Sequence, residues 1–161
     1  MTRDDAHRAA DAAVLDSVRR AFSTYRRPEH FTDRDHCSEC AEHDDVLRTR
    51  DLETLSVGDV GNPGWDPICF ATDAAFGYYF PALARLALDE PTEEFGWYGD
   101  QLLFHLCHDG SDNRRLAACT AEQRRAVADL LRHLSDTRGH LAEEKEELLD
   151  ALRLWSDETS A

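Results

Sequence analysis

Apolar residues recur at every third or fourth position over most of the chain, which is the spacing of one face of an α-helix. Near the N-terminus this stripe consists of Val14, Leu15, Val18, Phe22 and Tyr25. It predicts a helix over residues 5–25, and Pro28 lies just beyond its end, as expected of a residue that cannot continue a helix. The same spacing predicts further helices over residues 35–50, 72–88 and 93–107.

The clearest helix start lies in the C-terminal part of the chain. Thr120 is followed three positions later by Gln123, which is the pattern of a capping box. The helix behind it is predicted to end near Asp136, and Thr137 is predicted to open the last helix. Because the link is short, the two helices should form an antiparallel hairpin.

Residues 51–71 interrupt the helical pattern. Turn-forming residues are concentrated here, namely Gly58, Gly61, Asn62, Pro63, Gly64 and Pro67. Apolar residues such as Leu55, Trp65 and Ile68 are interleaved with them. The pattern therefore predicts an irregular segment that packs against the helices rather than extending into solvent.

Together these signals predict an all-α fold, a single-domain helical bundle with a Gly/Pro-rich packed middle loop. The domain is predicted to cover residues 1–161. Within it, residues 1–30 hold the N-terminal helix, residues 31–71 a cysteine-rich helix and loop, and residues 72–161 the helical body.

The chain carries a formal net charge of −15, which changes the expected partners. Such a charge repels nucleic-acid phosphates, so direct nucleic-acid binding is not expected. Two interpretations of the charge stay open: it attracts a basic protein partner, or it serves only to keep the protein in solution. The longest nearly apolar stretch, residues 74–84, is too short to span a bilayer. The charged N-terminus lacks the apolar core of a signal peptide, so the sequence predicts a cytoplasmic protein. The pattern leaves the oligomeric state open.

Residues 36–44 read His-Cys-Ser-Glu-Cys-Ala-Glu-His-Asp and form the one cluster suited to chemistry. Its candidate metal ligands are His36, Cys37, Cys40 and His43. Zinc prefers four such nitrogen and sulfur ligands at about 2.0–2.3 Å, and one short helix seldom supplies all four. Remote candidates for the fourth ligand are His30, Cys69 and the group His105, Cys107 and His108, of which that last group is preferred.

The same two cysteines support a second interpretation. A Cys-x-x-Cys pair at a helix N-terminus favours the thiolate of the first cysteine and hence thiol-disulfide chemistry. Asp33 and Asp35 oppose this effect, and no thioredoxin-like βαβ context surrounds the pair. A third interpretation is a metal-dependent hydrolase with Glu39 or Glu42 as the base, and a fourth is that the cysteines only pack.

Several segments resemble an uncharacterised family of small bacterial proteins of unknown function that carries an HCxECxEH motif. The similar segments are residues 31–32, 36–44, 61–67, 76–88, 120–124 and 151–155. The resemblance implies a bacterial, cytosolic, helical protein and supplies no activity, cofactor or catalytic residue.

The leading hypothesis is therefore a non-enzymatic binding or interaction protein with a structural zinc site at Cys37, Cys40, His43 and His36. The alternative is a thiol-disulfide redox protein or sensor that uses Cys37 and Cys40. No Gly-rich nucleotide loop, zinc-protease motif or nucleophile elbow is present, which favours a protein that is not an enzyme.

Overall fold

The apolar stripes of the sequence form helices in the computed structural model, which describes residues 2–157. The α-helices are α1 (Arg3–Ala21), α2 (Ser38–Arg48), α3 (Val57–Val60), α4 (Asp73–Leu88), α5 (Tyr98–Cys107), α6 (Arg114–Ala118), α7 (Ala121–Arg138) and α8 (Lys145–Ser156). Short 3₁₀ helices cover Pro67–Phe70, Gly110–Asp112 and Gly139–Leu141. The described residues contain no β-sheet, so the all-α prediction is confirmed. Met1 and residues 158–161 of the predicted domain lie outside the described part.

Helix α4 lies at the centre of the molecule because it is apolar on nearly every face. Thr72 caps its N-terminus by accepting a hydrogen bond from the backbone N–H of Ala75 at 3.1 Å. Helices α1, α5, α6 and α7 pack against it and enclose one hydrophobic core. The Tyr25 ring lies directly over Gly77, where a Cβ atom would come within 2.3 Å of Tyr25 Cζ. Glycine is therefore required at this contact.

Helices α7 and α8 pack against each other, and the capping box of Thr120 and Gln123 starts α7 as predicted. The predicted start of the last helix at Thr137 was wrong. The Thr137 hydroxyl donates to the carbonyl of His133 at 2.7 Å, inside α7, and so does not cap a new helix. Helix α8 begins only at Lys145.

Two other predicted boundaries also moved. Helix α1 ends at Ala21 rather than at residue 25. Residues 93–97 are not helical, because Thr92 and Gly96 exchange backbone hydrogen bonds at 2.9 Å in a tight turn. Gly96 has a positive φ of 65°, which suits glycine and ends any helical continuation there.

The middle segment is packed, as predicted. Leu55, Val60 and Ile68 are fully buried, although the segment contains only a four-residue helix and a short 3₁₀ helix. The backbone N–H of Thr72 donates to the carbonyl of Phe31 at 2.9 Å, which holds the end of the segment beside the residues that precede α2. The segment therefore forms one wall of the cysteine-rich region.

Helix α2 is anchored most firmly at its C-terminal end. The Tyr79 hydroxyl lies 2.6 Å from the carbonyl oxygen of Leu47 and 2.7 Å from that of Arg50, so its single proton is shared between the two. Arg27 donates to the carbonyls of Arg48 and Arg50 at 2.8 and 2.6 Å. These bonds satisfy carbonyl groups that a helix end leaves without partners.

Among residues 2–157, none of the helices combines the length and apolar character needed to cross a membrane.

Candidate functional site

The N-terminus of α2 places the cysteine pair at the surface of the molecule. Cys37 is the N-cap residue, with extended backbone angles, and its Sγ accepts a hydrogen bond from the backbone N–H of Cys40 at 3.4 Å. This role usually falls to serine, threonine, asparagine or aspartate. A sulfur in this position faces the exposed N–H groups of the first helical turn, which favour negative charge.

The two sulfur atoms of the pair are in contact but are not bonded. Sγ of Cys37 lies 3.4 Å from Sγ of Cys40, whereas a disulfide bond measures about 2.05 Å. Cys37 is exposed, while Cys40 is only 5% exposed. One thiol is therefore open to solutes, and the second lies behind it within easy reach.

The surroundings of the two thiols also shift their pKa values in opposite directions. The backbone N–H of Cys40, with help from His36, lowers the pKa of the Cys37 thiol. Burial raises the pKa of the Cys40 thiol, and its hydrogen bond with Cys37 adds to that effect. The interaction with Cys37 also raises the pKa of His36. The pKa of the exposed thiol is thus shifted down and that of the buried thiol is shifted up.

Three of the four predicted metal ligands come together. The ligand atoms of His36, Cys37 and Cys40 all lie within 4.8 Å of one another, and no fourth ligand atom from residues 2–157 joins this group. His43 points elsewhere. It is buried beneath the middle segment, with its ring centroid 4.6 Å from that of Trp65 and 5.0 Å from that of Phe70.

The remote candidates for a fourth ligand have other partners. His30 hydrogen-bonds to Asp44 at 2.9 Å, and the Cys107 thiol donates to the carbonyl of Glu147 at 3.6 Å. His108 is exposed at the end of α5. The predicted trio of His105, Cys107 and His108 is therefore not brought to the cysteine pair.

Cys69 and His105 instead meet each other at a second group, which sequence reasoning missed. Their partner is Asp66, and the three ligand atoms lie within 4.8 Å of one another. Nε2 of His105 hydrogen-bonds to Oδ2 of Asp66 at 2.7 Å, and both side chains are buried. Gln101 donates to the same oxygen at 2.5 Å, and the backbone N–H of Ile68 donates to Oδ1 at 2.9 Å.

The local signal at Asp66 was only that of a cap. An aspartate before Pro67 starts the 3₁₀ helix by accepting the N–H of Ile68, and this is a common structural role. Its histidine partner lies 39 positions away on α5, so no spacing along the chain links the two residues. Partial burial of the Cys69 sulfur raises the pKa of that thiol to about 11, and the charge of Asp66 contributes.

Comparison with known proteins adds no further constraint, since no protein family, curated protein or solved structure matches this chain. The resemblance stated above stays a prediction.

Proposed function

We propose that this protein is a thiol-disulfide redox protein or sensor in which Cys37 and Cys40 interconvert between a dithiol and a disulfide. One observation carries the proposal: an exposed thiol at a helix N-terminus lies in contact with a buried second thiol. This arrangement gives the two cysteines different roles. Cys37 meets the external partner, and Cys40 resolves the product.

The reaction partner would be a disulfide of general form R–S–S–R. The Cys37 thiolate attacks one sulfur of that disulfide, which releases one thiolate and leaves Cys37 joined to the other half. The Cys40 thiol then loses its proton and attacks the Cys37 sulfur, which displaces the second thiolate. The protein has lost two electrons, and the external disulfide has become two thiols.

The surroundings of the pair support a role in signalling rather than in structural stabilisation. A bond between Cys37 and Cys40 closes a loop within a single helical turn, so it constrains little of the unfolded chain. Its formation would alter the first turn of α2, where Cys37 accepts the N–H of Cys40. A basic protein partner in a reducing cytoplasm would suit this switch and the net charge of −15.

A zinc site at the same residues is the second candidate function. His36, Cys37 and Cys40 supply one nitrogen and two sulfurs within 4.8 Å of one another, a donor set that zinc favours. Three ligands leave a fourth position for water or for a group from a partner. In this case the protein would act as a binding protein whose first α2 turn is shaped by the metal.

A redox titration separates the two candidates. The untagged protein is equilibrated with glutathione mixtures of defined potential, and its disulfides are then mapped by alkylation and mass spectrometry. We expect a single two-electron transition that joins Cys37 to Cys40 and disappears in Cys37→Ser. Cys119→Ser is the control, because Cys119 lies outside the group and should leave the transition unchanged.

Metal content and folding complete the test. A redox pair predicts that Cys37→Ser folds like the parent and that chelators leave the melting temperature unchanged. A zinc site predicts about one zinc per chain and a lower melting temperature after chelation. If no potential produces a bond between Cys37 and Cys40, the redox proposal is wrong.

A further inference from the structure

The hydroxyl of Tyr98 is buried without a hydrogen-bond partner among the described residues. The side chain is only 3% exposed, so water at the surface does not replace the missing partner. Buried polar groups are nearly always paired, and an unpaired one indicates an unoccupied role in binding or catalysis, or an ordered water.

Tyr98 is the first residue of α5, the helix that contributes His105 to the second ligand group. Burial raises the pKa of Tyr98, and the charges of Asp66 and Cys69 add to the effect. His105 lies two turns further along α5, on the same face of the helix as Tyr98, and hydrogen-bonds to Asp66 at 2.7 Å. Gln101, one turn further along α5, donates to Asp66 from the same side. Tyr98 thus lies on the face of α5 that carries the two side chains bound to Asp66.

The chemistry of these groups suits a borderline divalent cation. Zinc and cobalt(II) accept mixed nitrogen, oxygen and sulfur ligands, whereas magnesium and calcium require oxygen alone. One carboxylate and one thiolate would balance the two positive charges of the ion. The Asp66 carboxylate is also held in place by Gln101 and the N–H of Ile68, which is the outer support that metal-binding carboxylates require.

We propose that Asp66, Cys69 and His105 bind a zinc-class divalent cation, with a water in the fourth position that hydrogen-bonds to Tyr98. On binding, the cation replaces the proton of the Cys69 thiol and separates His105 from Asp66. Cys69 is exposed as a residue although its sulfur is partly buried, so the ion would reach the group from the Cys69 side. Three protein ligands with one open position resemble catalytic rather than structural zinc sites.

Bound metal would also join two separate parts of the fold. Asp66 and Cys69 belong to the middle segment, and His105 belongs to α5. Their present connection consists of hydrogen bonds to Asp66, including the 2.7 Å bond from His105. Coordination would strengthen this connection, so metal should raise the melting temperature of the protein.

The test uses the double variant Cys37→Ser/Cys40→Ser, which removes the thiol pair of the proposed function. Cobalt(II) is titrated into this variant, and the charge-transfer absorption between thiolate and cobalt is recorded. We expect one site with a thiolate band that Cys69→Ser abolishes. Cys119→Ser, added to the same background, is the matched control and should retain the band.

A second variant tests the open position. Tyr98→Phe keeps all three ligands and removes only the hydroxyl, so it should bind cobalt about tenfold more weakly, as other outer-sphere substitutions do. Circular dichroism checks that Cys69→Ser and Tyr98→Phe retain the helical fold. The absence of a thiolate band in the double variant, or its survival in Cys69→Ser, would overturn the proposed site whatever the behaviour of Cys37 and Cys40.

Discussion

Oδ1 of Asp44 accepts a hydrogen bond from the backbone N–H of Phe31 at 2.6 Å, which ties α2 to the segment before it. Arg34 and His30 contact the other oxygen at 2.7 and 2.9 Å. Desolvation raises the pKa of Asp44, but these hydrogen bonds outweigh it and leave the pKa below its usual value. The carboxylate is thus a structural centre of the cysteine-rich region, although it stands next to candidate metal ligands in the sequence.

Asp44→Ala should destabilise the protein by about 3 kcal/mol, because it leaves buried donors without an acceptor. Chemical denaturation followed by circular dichroism measures the loss. Asp45→Ala is the matched control, since Asp45 also contacts Arg34 but its side chain is 63% exposed, and the cost should be small. Equal losses in the two variants would contradict a special role for Asp44.

The contact between α1 and α7 should depend on pH. Asp11 interacts with Arg138 at 2.7 Å and with His133 at 2.6 Å. Desolvation raises the pKa of Asp11, but the hydrogen bonds from Arg138 and His133 outweigh it, so the folded-state pKa lies below the model-compound value of 3.8. A lowered pKa stabilises the folded state above pH 3.8, and this contribution disappears as the pH falls through the folded-state value.

Asp11→Asn should therefore cost about 1 kcal/mol at pH 7, and the difference from the parent should shrink below about pH 4. Urea denaturation at a series of pH values measures both quantities. Asp16→Asn is the matched control, because Asp16 lies on the same helix in an exposed pair with Arg19. It should show neither effect. A difference between parent and Asp11→Asn that grows on acidification would show that the sign is wrong.

Gly77→Ala should destabilise the protein by about 1–3 kcal/mol, since the new methyl group would overlap the Tyr25 ring. Thermal denaturation measures the change, and a smaller residue at position 25 should restore part of it. Gly139→Ala provides the control. A Cβ there meets no atom within 4 Å, and the backbone is already right-handed, so stability should stay the same or rise slightly.

The two histidines of the cysteine-rich segment should have separable effects. His43→Ala removes a buried ring between Trp65 and Phe70 and should cost about 2 kcal/mol of stability. His36→Ala removes an exposed ring beside the thiols, so it should leave stability nearly unchanged and shift the dithiol-disulfide midpoint. Denaturation and glutathione titration of both variants give the comparison. A midpoint shift in His43→Ala of the same size would refute this assignment.

The sequence was informative wherever the contact joins residues within one turn of a helix. The capping box of Thr120 and Gln123 and the contact between Cys37 and Cys40 both join residues three positions apart, so their spacing predicts them. Apolar periodicity identified the long helices for the same reason. These features depend on local geometry and need no knowledge of the rest of the fold.

The remaining features depend on tertiary packing. Asp66 and His105 meet only because the middle segment folds back on α5, and no local pattern encodes that approach. The side chain of His43 shares a helix with Cys40, yet packing against Trp65 and Phe70 decides where it points. Threonine is a common helix N-cap, but the hydroxyl of Thr137 donates to a carbonyl inside α7 instead.

Because Tyr79 and Arg27 anchor one end of α2, the two ends of this helix should differ in how fast their amide protons exchange with solvent. The contacts of Tyr79 with the carbonyls of Leu47 and Arg50 hold this end of the helix against the core. The amide protons there should therefore exchange slowly, through rare and large-scale opening. At the other end of the helix, the exposed N-cap Cys37 has no such attachment, whereas the carbonyl of Cys40 accepts the buried hydroxyl of Thr32 at 2.6 Å. Faster exchange should therefore be confined to the N-cap and the residues directly after it, so Cys37 can move while Cys40 and the bundle stay in place.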